Sequence, residues 1–405
     1  MAAIHMNLCI RLLLITLLAA QASKAEPPPG FELIRISSNS DYETALHLNN
    51  CGQLAYTRRM GSTWNLAEIF LYDNEHLIRI TQNNDRDTLK EINDHARMLW
   101  LRGTGSSGAT MVVSYEFGDE SVLWTDDDGV SGCALANSGH MVFEVYRGDG
   151  CQGVDTDLLF WDGISVVPLV EGNGSHQSVK LNNLDQITWT DYDFCVDPWQ
   201  ADILLYDAGE RHRISPDERF QRQVPSINDS GQIAWPELVE LEGGGFLNTI
   251  MLWEDGTISM FTDWGEKPSL NSHGDIAFYR WYEDERTRRA WLYYQGQFFE
   301  LTDGSEMALP FDINDYGEVA LAMGPFPATD VGLLRRMRTG EADFDGDIDL
   351  TDYNKFAECM SGVDWLERNR VYPTDTLCEC RFLDLDHDND VDLADWAKFQ
   401  NAFAP

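Results

Sequence analysis

The stretch at residues 48–56 is LNNCGQLAY, and close variants occur at 92–100 (INDHARMLW) and 313–321 (INDYGEVAL). Each places an apolar residue and an Asn before a short polar turn, which leads into an apolar segment. Seven such phrases occur at intervals of 43 to 46 residues, with the Asn position at 49, 93, 136, 182, 228, 271 and 314 and Ala in the third copy. An Asn-rich turn that usually contains Gly, followed by alternating apolar side chains, indicates a tight turn entering a β-strand.

Each phrase is followed by further strand-like segments, as in IFLYD (69–73) and LIRIT (77–81) after the first. Short strands repeating at this period are typical of β-propeller blades, so the sequence predicts a mainly β chain with a seven-bladed β-propeller at residues 26–338. The seventh repeat lacks its last strand, and we expect LIRIS (33–37) to complete that blade. The repeats resemble those of secreted bacterial propellers, including TolB-like families, and this resemblance implies a fold without an activity.

Charge and targeting signals restrict the partners. The chain has 405 residues, 29 basic against 68 acidic side chains and a net charge of −39, which repels nucleic acid and anionic lipid and favours cations. The apolar run LLLITLLAA (12–20) followed by small residues predicts a signal peptide at residues 1–25 and a secreted, extracellular or cell-surface protein without a membrane span. The seven cysteines beyond it predict disulfides with one thiol left over.

The last 65 residues are strongly acidic and contain EADFDGDIDLTD (341–352) and DLDHDNDVDLAD (384–395). Both fit a twelve-residue calcium loop, with ligands at positions 1, 3, 5, 7, 9 and 12 and an apolar residue at position 8. Oxygen-only ligands favour Ca²⁺ over zinc or copper, so we expect two Ca²⁺ ions. The predicted metal-binding residues are Glu341, Asp343, Asp345, Asp347, Asp349, Asp352, Asp384, Asp386, Asp388, Asp390, Asp392 and Asp395.

Asp at position 12 of each loop, with a helix directly behind it, resembles the type I dockerin, a module with paired EF-hand-like calcium loops. The resemblance covers residues 340–402 and implies a small α-helical calcium-binding domain, which we place at 339–405. It also implies docking to a cohesin-like protein or cell-surface scaffold through the helix starts, here Leu350, Thr351, Leu393 and Ala394.

Three features depart from the dockerin pattern. Glu341 occupies position 1, Asn389 replaces the usual Gly, and the basic pair often found later in each recognition helix is absent. Calcium binding survives these changes more easily than cohesin docking does. A bridge from Cys359 to Cys378 or Cys380 would stabilise a module with little core of its own.

Long, dissimilar segments follow the phrase strands of five repeats and should emerge on one face of the ring. Exposed aromatics there suit sugar rings or peptides, and the predicted ligand-binding residues are Tyr192, Trp199, Trp281 and Tyr282. The sequence contains no recognisable catalytic motif, and its histidines are scattered. These features favour an exported, non-catalytic binding or scaffold protein whose propeller recognises an extracellular glycan or peptide. Two alternatives stay open: a polysaccharide-degrading hydrolase or lyase, and calcium loops that are merely structural.

Overall fold

Short β-strands make up most of the chain in the structure, which is a computed structural model. It describes residues 25–61, 66–103, 110–116, 118–148, 155–172, 174–193, 200–215, 224–240, 246–325, 328–343, 348–360, 378, 380–388 and 391–402. Within these residues lie twenty-eight strands and two helices, so the chain is mainly β.

The strands form seven antiparallel groups of four, one for each sequence repeat. Blade 1 contains β2 (Tyr42–Leu48), β3 (Leu54–Arg59), β4 (Ala67–Asp73) and β5 (His76–Arg79). Blade 2 contains β6 (Arg86–Ile92), β7 (Met98–Gly103), β8 (Thr110–Glu116) and β9 (Asp119–Asp126). Blade 3 contains β10 (Val130–Leu135), β11 (Met141–Tyr146), β12 (Thr156–Trp161) and β13 (Val166–Val170). Blade 4 contains β14 (Ser175–Leu181), β15 (Ile187–Asp193), β16 (Gln200–Asp207) and β17 (Glu210–Arg213).

The remaining blades follow the same order. Blade 5 contains β18 (Ser226–Ile227), β19 (Ile233–Glu240), β20 (Phe246–Glu254) and β21 (Thr257–Thr262). Blade 6 contains β22 (Glu266–Leu270), β23 (Ile276–Tyr282), β24 (Thr287–Tyr294) and β25 (Gln297–Glu300). Blade 7 contains β26 (Ala308–Ile313), β27 (Val319–Met323), β28 (Asp330–Arg336) and the N-terminal strand β1 (Phe31–Arg35).

Blade 7 joins the two ends of the strand region. Strand β1 pairs antiparallel with β28, with Leu33 opposite Leu334, so the N-terminal strand completes the last blade as the sequence predicts. The first strands of the seven blades contact one another in succession, and β26 contacts β2. The blades therefore form a ring with the first strands around its axis, and β28 has a partner on both edges.

The sequence pattern does not predict the first strand of each blade, which ends just before the Asn turn. Its pairing with the second strand shifts register in six blades, for example between Thr44 and His47 in β2. Ala45, Ser178 and Lys267 have positive φ at these bulges. A β-bulge breaks the alternation of side chains on which strand recognition depends, and it redirects the side chains that follow it.

The repeated Asn has a structural role. The side-chain Nδ2 of Asn49 donates to the carbonyl oxygen of Asn93 in the next blade at 2.9 Å, and Asn314 donates to that of Asn49 at 3.1 Å. The Asn residues at 93, 182, 228 and 271 make the same bond to the following blade. Each side-chain oxygen also accepts backbone N–H groups of its own turn, as from Gln53. We call this end of the ring the turn face and the opposite end the loop face.

The residue that ends each phrase forms the core between blades. These side chains are Tyr56, Trp100, Phe143, Trp189, Trp235, Phe278 and Leu321, and each is at most 1% exposed. They pack with side chains of a neighbouring blade, as Tyr56 does with Ala320 and Leu333. Burying such side chains contributes about 1.5–3 kcal/mol each, which explains why the sequence repeats an apolar or aromatic residue at this position.

Two helices follow the strands, α1 (Leu350–Cys359) and α2 (Leu393–Ala402). Phe356 of α1 packs against Trp396 and Phe399 of α2 with ring centroids 5.3 and 5.1 Å apart. A disulfide between Cys359 and Cys380 links α1 to the segment before the second acidic loop. We call residues 339–405 the C-terminal module.

Candidate functional site

The axis of the ring contains a cavity of about 170 Å³ that is lined mainly by polar side chains. Two side chains of its lining, Glu91 of blade 2 and Asp312 of blade 7, lie against His47 of blade 1, and we call these three residues the triad. The His47 Nδ1 atom lies 3.0 Å from an oxygen of Glu91 and 3.7 Å from one of Asp312. Lys180 of blade 4 lines the same cavity.

The triad carboxylates have opposite pKa shifts. Burial alone would raise the pKa of Glu91, but His47 and Lys180 outweigh burial and hold the pKa below its ordinary value. Burial raises the pKa of Asp312, with the nearby charge of Glu91 adding to the effect. The triad is therefore an electrostatically coupled group at the junction of three blades.

The triad was not predicted from the sequence, although a signal for it existed. Each member stands two residues before an Asn position of the repeat, and Lys180 occupies the same place in blade 4. The seven residues at this place are His47, Glu91, Ala134, Lys180, Ser226, Ser269 and Asp312. A polar residue in the strand before a repeated turn of a propeller indicates a position near the ring axis.

The two acidic loops of the C-terminal module each gather carboxylates. In the first loop (341–352), oxygens of Glu341, Asp343 and Asp352 lie within 4.8 Å of one another. In the second loop (384–395), the equivalent group has four carboxylates, those of Asp384, Asp386, Asp388 and Asp395. Of the other predicted ligands, Asp349 and Asp392 accept the backbone N–H two residues ahead at the start of each helix, and Asp345, Asp347 and Asp390 lie outside the described residues.

The final carboxylate of each loop has the same hydrogen-bond partners. Oδ1 of Asp352 accepts the N–H groups of residues 342 and 343, and Oδ2 accepts that of residue 349 at 2.8 Å. Oδ1 of Asp395 accepts those of residues 385 and 386, and Oδ2 that of residue 392 at 2.9 Å. Both side chains are fully buried. The two loops thus have matching geometry at the position that ends a calcium loop.

The carboxylates of the second loop are crowded together. Within the described part of the chain, Oδ1 of Asp386 is buried and accepts no hydrogen bond. Burial, together with the charges of Asp395 and Asp388, raises the pKa of Asp386. Carboxylates crowded in this way repel one another, and a divalent cation with oxygen ligands relieves that repulsion. The residues present therefore fit Ca²⁺.

The C-terminal module is fastened to the turn face of blades 7 and 1. A disulfide joins Cys51, in the Asn turn of blade 1, to Cys378. Arg381 pairs with Glu318 of blade 7 at 2.5 Å, where the Glu318 side chain is only 1% exposed. The guanidinium of Arg381 also stacks on the ring of Phe382 at 4.2 Å. This cysteine pairing resolves an alternative that the sequence left open, because Cys359 pairs with Cys380 instead.

The second loop itself takes part in this contact. Asp384, at position 1 of the loop, forms an ion pair with Arg338 at 3.0 Å and accepts a hydrogen bond from Asn74 of blade 1. His387 lies 3.4 Å from Glu75 of the same turn. A predicted calcium ligand is therefore shared with the propeller.

The predicted aromatic residues do not form one cluster. Tyr192 lies near the end of β15 in blade 4, whereas Trp281 and Tyr282 end β23 in blade 6, with blade 5 between them. Trp281 is 42% exposed, with Arg288 5.1 Å from its ring centroid. Arg289 lies over the Tyr282 ring at 4.3 Å. Trp199 lies outside the described residues.

Solved structures with a similar fold include the β-propeller domain of a protease, a peptidase and TolB. The β-propeller domain of the Trilobed protease from Pyrococcus furiosus matches with a TM-score of 0.55 and 11% identity, over 74% of this chain and 94% of that one. Acylaminoacyl peptidase from Pyrococcus horikoshii matches with a TM-score of 0.52 and 12% identity, over 73% of this chain and 52% of that one. TolB from Acinetobacter baumannii matches with a TM-score of 0.41 and 10% identity, over 68% and 78%.

At these identities the likeness concerns the fold alone, and the predicted propeller is confirmed at that level. The chain spans about half the length of the acylaminoacyl peptidase. It matches no protein-family profile and no curated protein sequence, so the dockerin resemblance stays a prediction. Among the described residues, no helix has the length and apolarity needed to cross a membrane.

Proposed function

We propose that the chain is an exported binding protein in which a seven-bladed propeller recognises an extracellular ligand and a dockerin-like module, loaded with two Ca²⁺ ions, attaches it to a partner. The matching hydrogen bonds of Asp352 and Asp395 carry this proposal, because they give both loops one geometry at the last ligand position. The carboxylates gathered around each support an oxygen-only cation site. Binding there would stabilise the module by neutralising its charge.

The helix starts support a docking surface on the module. Leu350 is 65% exposed and Leu393 is 72% exposed, although both are large apolar residues. Thr351 and Ala394, which follow them, are exposed as well. The described contacts of the module with the propeller involve Cys378, Arg381, Asp384 and His387, away from these helix starts. The helix starts are therefore proposed as the surface for a cohesin-like protein or scaffold.

The ligand of the propeller is proposed at the loop face, where Trp281 is exposed. Its chemical class is a glycan or a peptide, since an indole ring beside arginines suits sugar rings and aromatic or acidic side chains. The alternative function, cleavage of a polysaccharide, has no described side-chain arrangement in its favour.

Calcium binding by the chain from residue 26 onward is tested first, by calorimetry. We expect two ions per chain, and one ion each for Asp352→Asn and Asp395→Asn, because an amide replaces the carboxylate that closes the loop. Asp128→Asn, in an exposed turn between blades 2 and 3, is the matched control and should leave two. Fewer than one ion in the unaltered chain contradicts the proposal.

Docking is tested by retention of the chain on immobilised cohesins, with calcium or with chelator. Retention should require calcium and be lost in the double variant Leu350→Asp, Leu393→Asp. Leu77→Asp, on an exposed leucine of blade 1, is the control and should be retained. Calcium binding without retention would leave the loops a structural role only.

The propeller ligand is sought on a glycan and peptide array with the same chain. Trp281→Ala should weaken binding to the ligand found by about 2 kcal/mol at an unchanged melting temperature. Release of reducing sugars or unsaturated products from a panel of polysaccharides would favour the enzyme instead.

A further inference from the structure

We propose that the triad of His47, Glu91 and Asp312 binds one divalent cation of the zinc class in the wall of the central cavity. This site is separate from the calcium loops, since its members come from blades 1, 2 and 7. It also requires no part of the proposed docking function.

The distances within the triad suit a small ion. Tetrahedral zinc has bonds of about 2.0 Å to nitrogen and oxygen, which places its ligand atoms about 3.3 Å apart. The two separations from His47 Nδ1, 3.0 Å to Glu91 and 3.7 Å to Asp312, lie on either side of this value. All three ligand atoms lie within 4.8 Å of one another. Sub-ångström adjustments of three side chains would therefore complete the geometry.

The position of the Asp312 carboxylate is fixed before any ion binds. Oδ2 accepts the backbone N–H of Leu48 at 3.0 Å, and Oδ1 accepts that of Ile313 at 2.9 Å. The hydroxyl of Ser269 donates to Oδ1 at 3.3 Å. Such bonds orient a carboxylate ligand and lower the cost of ordering it on binding. His47 and Glu91 follow bulges in β2 and β6, which direct them to the same place.

The ligand atoms of the triad favour a different metal ion from the one expected in the two acidic loops. One imidazole nitrogen with two carboxylate oxygens suits zinc and related metals, whereas calcium and magnesium prefer oxygen ligands alone. Glu91 and Asp312 line the cavity of about 170 Å³, which has room for a water molecule as the fourth ligand. In the lining of the cavity, the two triad carboxylates outnumber the one ammonium group, that of Lys180, so the local charge favours a cation.

The test is a zinc titration of the untagged chain from residue 26 onward, in enough calcium to saturate both loops. Calorimetry and competition with a chromophoric chelator should give one zinc per chain. His47→Ala and the isosteric Glu91→Gln should each weaken binding at least about tenfold. Lys180→Met, which removes the opposing charge, should strengthen it. His140→Ala is the matched control: this histidine pairs with Asp185 in the turns of blades 3 and 4, and its loss should change nothing.

X-ray absorption of the zinc-loaded, unaltered chain keeps the proposal falsifiable if a variant fails to fold. The expected first shell contains one imidazole nitrogen and otherwise oxygen at about 2.0 Å. A shell without imidazole, zinc binding that persists in folded His47→Ala and Glu91→Gln, or no zinc bound beyond the calcium loops would each overturn it. In those cases the triad is a histidine-centred ion pair that joins three blades.

Discussion

The junction between blades 7 and 1 differs from that between blades 3 and 4 in how it is held. At the first, Asn314 donates its side-chain amide to the carbonyl of Asn49. At the second, Ala136 occupies the Asn position, and an alanine side chain has no donor to offer the carbonyl of Asn182. The N–H of the next residue, Asn137, still donates to the side chain of Asn183 at 2.6 Å, as the N–H of Asp315 does to Asn50 at the first junction, so only the Asn side-chain bond is missing.

The contrast extends beyond the Asn turns. Blades 7 and 1 are also joined by the Cys51–Cys378 disulfide through the module, and two members of the triad lie there. In addition, β1 runs from blade 7 directly into blade 1. The two ends of the strand region pair within blade 7, next to this junction, so opening of the ring would begin here. We infer that additional stabilising contacts are needed where the ring closes, whereas an interior junction tolerates the loss of one hydrogen bond between blades.

Deletion of residues 26–38 should lower the stability of the chain more than any other change proposed here, because it removes β1 and leaves β28 with a free edge. We expect a large fall in melting temperature and increased aggregation, measured by calorimetry and light scattering. Deletion of residues 26–29 alone is the control, since it stops short of the strand. A melting temperature that stays within a degree or two of the full chain's would contradict the role of β1 in closure.

Arg381→Ala should have the next largest effect on stability, because it leaves the carboxylate of Glu318 buried without the guanidinium that pairs with it. Removing one partner of a buried ion pair costs about 3–5 kcal/mol, and the free energy of unfolding by denaturant measures it. The double variant Arg381→Ala, Glu318→Gln should recover most of the loss, because it removes the buried charge as well. A single variant as stable as the unaltered chain would mean that the module adds nothing to this junction.

The same pair predicts a dependence on pH. Burial alone would raise the pKa of Glu318, but Arg381 and hydrogen bonds outweigh burial and lower the pKa below the ordinary value of 4.5. A carboxyl whose folded pKa is lowered stabilises the fold above that ordinary value, and the stabilisation is lost as pH falls through the folded pKa. The stability difference between the unaltered chain and Arg381→Ala should thus be full at pH 7 and narrow below about pH 4.5. A constant difference down to pH 3 would assign the effect to packing.

Much of the fold was predictable because the sequence repeat has the length and pattern of a propeller blade. Asn turns and buried aromatics recur in the sequence, and the seventh repeat visibly lacks the strand that LIRIS supplies. The first strands were not predictable in this way, since a bulge removes the regular alternation in six blades and the first strand of blade 5 has only two residues, Ser226–Ile227. Long-range pairing such as Cys51 with Cys378 has no local sequence signal at all.

The candidate sites also differ in whether a local sequence pattern predicts them. Each acidic loop is contiguous in sequence, so its ligand pattern can be counted along the chain. The triad draws His47 and Asp312 from positions 265 residues apart in opposite ends of the strand region. Only closure of the ring brings them together, and a histidine in an unrecognised strand gave no reason to single it out.

Ala136→Asn should produce the smallest effect and is the sharpest test of the contrast, because it restores the donor that the junction of blades 3 and 4 lacks. The other six copies hold Asn at this place, and their amides lie 2.7–3.1 Å from the next carbonyl. A new hydrogen bond contributes about 0.5–1.5 kcal/mol, so the free energy of unfolding should rise by that amount, while Asn314→Ala should lower it. If Ala136→Asn destabilised the chain instead, the packing around the third turn would be specific for alanine. The absence of Asn at this position would then follow from the limited space around residue 136.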